Sequence, residues 1–129
     1  MQSRRGSWDD FGVATVLIVD DHPGFRASVR AVLLAEGFDV VGEAPDGASA
    51  LSLTQQLDPA VVLLDIALPD IDGFAVCEIL LDDDPFRAVV LTSSRDVSSY
   101  RRRLDRSRAR GFIHKSELSG PALGALVGQ

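Results

Sequence analysis

The chain is poor in several residue types at once: one Cys, one Met, one Trp, one Tyr and two His among 129 residues. A lone cysteine, Cys77, can close no intrachain disulfide and supply no cysteine-rich metal site. No apolar run approaches the ~20 residues that span a bilayer. Residues 1–12 are polar and do not read as a charged segment followed by an apolar one, so no secretory address is expected. Together these absences predict a soluble protein of a reducing, cytoplasmic compartment. Lysine is scarcer than it first looks. Of 13 basic side chains twelve are Arg, and only Lys115 is Lys. Either chance retained it or a compact ammonium is needed at that place.

What is present suits one packed domain: 129 residues, 46% apolar, 25% charged, net charge −6. The charge is uneven. Residues 1–94 hold 16 acidic and 5 basic side chains, and residues 95–129 hold 3 and 8. Each half therefore offers a different field to a partner.

Residues 13–19 form a near-continuous apolar run closed by Asp20, Asp21 and Pro23, which predicts a strand buried on both faces. Phe25, Val29, Val32, Leu33 and Glu36 then follow a helical period that Gly37 ends. A second strand is expected over 38–41, and a helix from Asp46-Gly47 through Ala48, Leu51 and Leu57 to Asp58-Pro59. Residues 60–64, the most apolar run, end in Asp65 and predict a central strand. Phe74, Cys77, Leu80 and Leu81 mark a third helix, and residues 87–91 a fourth strand ending at Thr92 and Ser93. Val97, Tyr100 and Leu104 predict a fourth helix, with Arg101, Arg102, Arg103, Arg106 and Arg108 on its other faces. Residues 111–114 read as a short fifth strand, and Leu118, Ala122, Leu123, Leu126 and Val127 as a final helix.

Strict alternation of strand and helix predicts an α/β fold with a parallel sheet covered on both faces. Five strands suit the flavodoxin-like (βα)5 doubly wound sheet, order 2-1-3-4-5. Ligands there bind beyond the carboxyl ends of the strands, where the winding reverses. Asp20, Asp21, Asp65, Thr92, Ser93 and Lys115 all fall on that edge. Grouped carboxylates repel, and a hard divalent cation removes the strain. Oxygen ligands suit Mg²⁺, which keeps several waters and completes its shell with phosphate oxygens. Taken singly, Asp21 reads as a helix cap and Asp65 as a turn residue; taken together with the lone Lys, the set points to a site.

These residues bring the chain to a known family. Asp20-Asp21 after strand 1, Asp65 in D-I-A-L-P-D-I-D-G, Thr92 in V-V-L-T-S and Lys115 in G-F-I-H-K-S-E-L resemble the receiver domains of bacterial two-component response regulators. The likeness runs over roughly residues 13–128. The segments D-D-H-P-G-F-R and G-F-I-H-K-S-E-L look most like receivers that often precede a LuxR-type helix-turn-helix.

The resemblance implies a phosphorylation-dependent switch. Asp65 would accept a phosphoryl group from a sensor histidine kinase, with Asp21 and Asp65 as direct Mg²⁺ ligands. Asp20 would act mainly through a water, and the Ala67 carbonyl would add a further ligand. Lys115 would share neutralisation of the phosphoryl oxygens. Thr92 would bond the new group, Phe112 would follow inward, and the surface of helix 4, strand 5 and helix 5 would reorganise. That surface is also where the family commonly homodimerises. Ser116 replaces the Pro that commonly follows the Lys in a cis peptide. Ala67 and Ser94 offer little to an attacking water, which implies slow self-dephosphorylation and no broader enzyme activity. A polar extension (1–12), one receiver (13–128) and no output domain within the chain are the expected organisation.

Two other functions compete. A small Mg²⁺-dependent phosphohydrolase with an aspartyl-phosphate intermediate would want an acidic acid/base at position 67, which is Ala. A nucleotide-binding domain would want a glycine-rich first turn in place of Asp20-Asp21-His22-Pro23-Gly24. Cys77 reads as core, His22 as a helix-start residue, and His114 as a strand residue with no role. The run Asp82-Asp83-Asp84 reads as a solvated helix end. The Arg-rich fourth helix lacks interleaved aromatics beyond Tyr100, so nucleic-acid binding is not expected. An acidic protein partner, or an acidic patch on a second copy, is.

Overall fold

A computed structural model describes residues 13–128, so the expected extension at 1–12 lies outside the described residues. Five strands form one sheet: β1 (Thr15–Val19), β2 (Asp39–Ala44), β3 (Val61–Asp65), β4 (Ala88–Ser93) and β5 (Gly111–His114). Their order is β2-β1-β3-β4-β5 and every pairing is parallel. The helices are α1 (Pro23–Ala35), α2 (Gly47–Leu57), α3 (Gly73–Asp83), α4 (Arg101–Arg106) and α5 (Gly120–Val127).

The continuous apolar runs become β1, β3 and β4, whose residues are all buried. Alternate side chains serve opposite faces, as the pleat requires. Leu17, Val19, Val62, Leu64, Val89 and Leu91 pack with Ala50 of α2 and with Cys77 and Leu80 of α3. Val16, Ile18, Val61, Leu63, Ala88 and Val90 pack with Val29 and Leu33 of α1 and Leu123 of α5. Cys77 is core, and burial pushes its thiol up to about 11.

Three local expectations shift. Val32 and Leu57 keep the helical period but stand 41% and 38% exposed, because Val29 and Leu33 of α1 and Ala50 and Thr54 of α2 take the buried faces. The fourth helix shortens. Val97–Tyr100 is a 3-10 turn and the α-helix runs only from Arg101 to Arg106, leaving Arg108 beyond it. Asp96 makes no side-chain cap there, and serine is a weak helix former because its hydroxyl can compete for backbone hydrogen bonds. The acidic run is not simply solvated either. The buried Arg87 guanidinium meets Asp58 at 2.5 Å, Asp83 at 3.5 Å and Asp84 at 3.9 Å, while Asp82 pairs with Arg108. A buried guanidinium needs such partners, and Arg87 also donates to the carbonyls of Pro59 and Leu80.

One glycine sets the loop after β3. A Cβ on Gly73 would lie 2.5 Å from the Asp65 carbonyl oxygen and 2.6 Å from Ile66 Cα. Its N–H instead donates to the Ile66 carbonyl at 2.9 Å. The start of α3 is thereby pressed against the carboxyl end of β3. Gly73→Ala should destabilise the domain by about 2–3 kcal/mol, the scale of overpacking in a closed site, as measured by urea unfolding; an unchanged midpoint would refute the contact.

Candidate functional site

The sheet order reverses between β1 and β3, and their carboxyl ends lie side by side through Val19 and Leu64. Asp20 follows the first and Asp65 ends the second, both buried. Lys115 arrives from the end of β5 across β4. Its Nζ lies 2.6 Å from Asp20 Oδ2 and 3.1 Å from Asp65 Oδ2. The contact with Asp65 is a hydrogen bond. The approach to Asp20 has ion-pair distance without hydrogen-bond direction, so Asp20 Oδ2 is buried with no directional donor.

Burial raises the Asp65 carboxyl above its ordinary value. The Ala67 N–H and Lys115 work against that rise, and the Asp20 charge adds to it. The Ala67 N–H donates to Asp65 Oδ1 at 3.0 Å. Burial also works against the Lys115 ammonium, but Asp20 and Asp65 outweigh it and the net shift is upward. The pocket is therefore a strained set: one cation between two buried anions, with a third carboxylate, Asp21, at the mouth.

Asp20, Asp21, His22 and Asp65 each offer a ligand atom within 4.8 Å of one another. The residues fit Mg²⁺ on their own chemistry, with hard oxygens, excess negative charge and a buried Asp20 oxygen lacking a directional donor. Of the expected residues, Asp20, Asp21, Asp65 and Lys115 are brought together. Thr92 is buried and in register beside Asp65, and its carbonyl accepts from Ile66 N–H at 2.9 Å. Phe112 is half-buried on β5, its ring 6.3 Å from Tyr100, which is 6.0 Å from Phe74. All described peptide bonds are trans, Lys115-Ser116 included.

Several further side chains brace the site. His22 does start α1, and its Nδ1 also lies 3.0 Å from both Asp20 and Asp21. Arg26, one turn on, donates to the Asp20 carbonyl at 2.6 Å and pairs with Glu43 of β2 at 3.0 Å. Asp70 accepts from Gly47 and Ala48 at the start of α2, which lowers its carboxyl and ties two loops of the site edge together. His114 is not idle. Its Nδ1 accepts the Ser116 N–H at 3.1 Å, which leaves Nε2 to donate to the Ser94 carbonyl at 3.0 Å. Helical spacing was the available signal for Arg26, whereas the long-range pairs left none.

A five-stranded doubly wound domain with buried carboxylates and a lysine at its switch edge is the arrangement of a signal receiver. The chain belongs to that family, matching the response regulator receiver domain over residues 16–122, and so to two-component signalling. The transcription regulator BvgA of Bordetella pertussis is 41% identical over 103 residues, 79% of this chain and 49% of that protein. The transcriptional regulatory protein DegU of Brevibacillus brevis is 33% identical over 109 residues, 84% of this chain and 46% of that protein. The NarL receiver domain from Mycobacterium tuberculosis superposes with a TM-score of 0.74 at 35% identity, covering 91% of this chain and 98% of that one. The chain thus spans about half the length of the curated relatives it matches. Among the described residues no helix is long and apolar enough to cross a membrane.

Because burial and a like charge disfavour the ionised form of Asp65, that form costs stability at neutral pH, and the cost fades as pH falls through its raised value. Asp65→Asn should therefore raise Tm by roughly 2–6 °C in EDTA at neutral pH, the size of a change of about 1 kcal/mol. Added Mg²⁺ should narrow the gap by binding the wild type. A lower Tm for the variant in EDTA would contradict the strained pocket.

Proposed function

We propose that the chain is a phosphorylation-dependent signalling switch whose phosphoryl acceptor is Asp65. The observation that carries this reading is the meeting of the only lysine with two buried carboxylates at the sheet's switch edge. Asp65 attacks the phosphorus of a phosphohistidine on a sensor histidine kinase. A P–O bond forms, the P–N bond breaks, and the imidazole leaves with a proton. Asp21 and Asp65 would hold Mg²⁺ directly, with Asp20 mainly through water and the Ala67 carbonyl as a further ligand. When bound, the ion supplies neutralisation of the phosphoryl oxygens in a loose transition state. Lys115 supplies the complementary point charge, for which a compact ammonium serves better than a planar fork.

The Thr92 hydroxyl bonds the new phosphoryl group and draws in the loop after β4. Phe112, lacking a phenolic hydroxyl, follows by packing alone, beside its aromatic neighbour Tyr100. The change is passed to α4, β5 and α5. We assign residues 13–128 to this cytoplasmic receiver and 1–12 to an extension. A phosphohydrolase is disfavoured because position 67 presents only a backbone N–H to Asp65. Activity beyond the chain's own phosphoryl transfer and slow hydrolysis is therefore not expected.

The output surface has a charge of its own. Arg101, Arg102, Arg103 and Arg106 of α4 are exposed. Arg103 is spent on Asp72 and on the Phe74 ring, whereas Arg101, Arg102 and Arg106 face outward. A protein with an acidic patch, or a second copy through α4, β5 and α5, fits there; direct nucleic-acid contact does not.

Incubation with Mg²⁺ and acetyl phosphate should add one phosphoryl mass to wild type and none to Asp65→Asn, and the adduct should outlast seconds. No adduct, or an equal one on the variant, sinks the mechanism. Reversing charge at Arg102 and Arg106 should weaken partner binding or self-association, and added salt should do the same. Binding indifferent to both would exclude an acidic partner at α4.

A further inference from the structure

The two anions that hold Lys115 are the same ones that Mg²⁺ would claim. In the structure the ammonium is held by Asp20 Oδ2 and Asp65 Oδ2. A divalent cation held by Asp65 directly and by Asp20 through a water weakens the hold of both carboxylates on Nζ and also repels it. An ammonium with only those partners would lose its hold in the Mg²⁺-loaded pocket before the phosphoryl oxygens arrive to replace them. A third neighbour is not exposed to that competition. The Phe25 ring lies with its centroid 4.7 Å from Lys115 Nζ, within the range of a cation–π contact. A ring face attracts a cation through its quadrupole, and a hard metal ion that prefers oxygen does not take it away.

The ring is well anchored for this task. Phe25 sits in the first turn of α1, where Pro23 fixes the helix start, and it packs against the core formed with Val29 and Leu33. Lys115 has only 14% of its side chain exposed, so the contact is largely shielded from water. Desolvation strengthens cation–π attraction.

We propose that Phe25 is a positioning residue for phosphoryl transfer: its ring keeps the Lys115 ammonium in the pocket once Mg²⁺ occupies the carboxylates. This rests on Asp65 and Mg²⁺ acting as described above. The chain's single lysine makes the test direct, because selective ¹³C,¹⁵N-lysine labelling gives one side-chain signal. A proton over a ring face resonates upfield, so the Lys115 Hε signals should lie upfield of free lysine and remain there as Mg²⁺ is titrated to saturation. In Phe25→Leu, which keeps apolar volume without a ring face, the upfield displacement should be absent with or without Mg²⁺. The same variant should be phosphorylated by acetyl phosphate about fivefold to tenfold more slowly, a loss of about 1–1.4 kcal/mol in the transition state. Phe25→Tyr should restore both the shift and the rate.

The wild-type spectrum needs no variant to fold. Hε signals that reach the free-lysine position in Mg²⁺-saturated wild type overturn the proposal, as does a Phe25→Leu protein whose signals stay upfield. Absence of a phosphoryl adduct on wild type, with the upfield shift retained, overturns the phosphoacceptor reading and leaves the ring contact standing.

Discussion

Two buried carboxylates, Asp20 and Asp65, face each other across one ammonium, and much of the domain is arranged to keep that group intact. Left alone the anions would repel, and one would hold its proton. Lys115 offsets the repulsion from the end of β5, two places from β3 and three from β1, so the order of the sheet is a condition of the pocket's charge balance. Supporting contacts fix the pieces. Arg26 holds the Asp20 carbonyl, the Ala67 N–H holds Asp65, and Asp70 fastens the loop after β3 to the start of α2. Gly73 lets α3 begin hard against β3, and the buried network around Arg87 secures the opposite end of α3. The pocket stays short of neutral, the electrostatic condition that suits a hard divalent cation.

Fold and site were unequally legible in the sequence. Runs such as 60–64 announce a strand covered on both sides, because a partly exposed strand would alternate. Cys77, Leu80 and Leu81 repeat at helical spacing and are buried. With the strands in place, the strand-end rule locates Asp20, Asp65 and Lys115 without knowledge of any side-chain contact. Sequence was silent where partners lie far apart in the chain and neither residue is unusual. Arg87 with Asp58, Arg103 with Asp72 and Asp70 with Gly47 are of that kind. Periodicity also misjudged the fourth helix. Val97, Tyr100 and Leu104 keep the right spacing, yet the first turn, with no side-chain cap from Asp96, is a 3-10 turn.

The charge asymmetry divides along the same lines. Several acids of the first 94 residues have specific tasks: Asp20, Asp21 and Asp65 line the pocket, and Asp58, Asp83 and Asp84 surround Arg87. Glu78 and Asp82 bind Arg108, whose guanidinium they hold more firmly protonated. Acidic α3 and the basic segment after β4 thus attract one another inside the molecule. The net charge of −6 conceals this internal pairing.

That pairing gives the segment 101–108 a character unlike the rest of the fold. A six-residue helix recovers little of its nucleation cost. No residue of α4 is buried, and exposed ion pairs from Arg103 and Arg108 fasten the segment to α3. Such fastenings are individually weak and sensitive to salt. The segment therefore belongs to the low-stability end of the domain, where local opening needs far less free energy than global unfolding. Warming therefore loosens such a segment before it melts the sheet, so the face that α3 turns toward it is uncovered while the core is still intact.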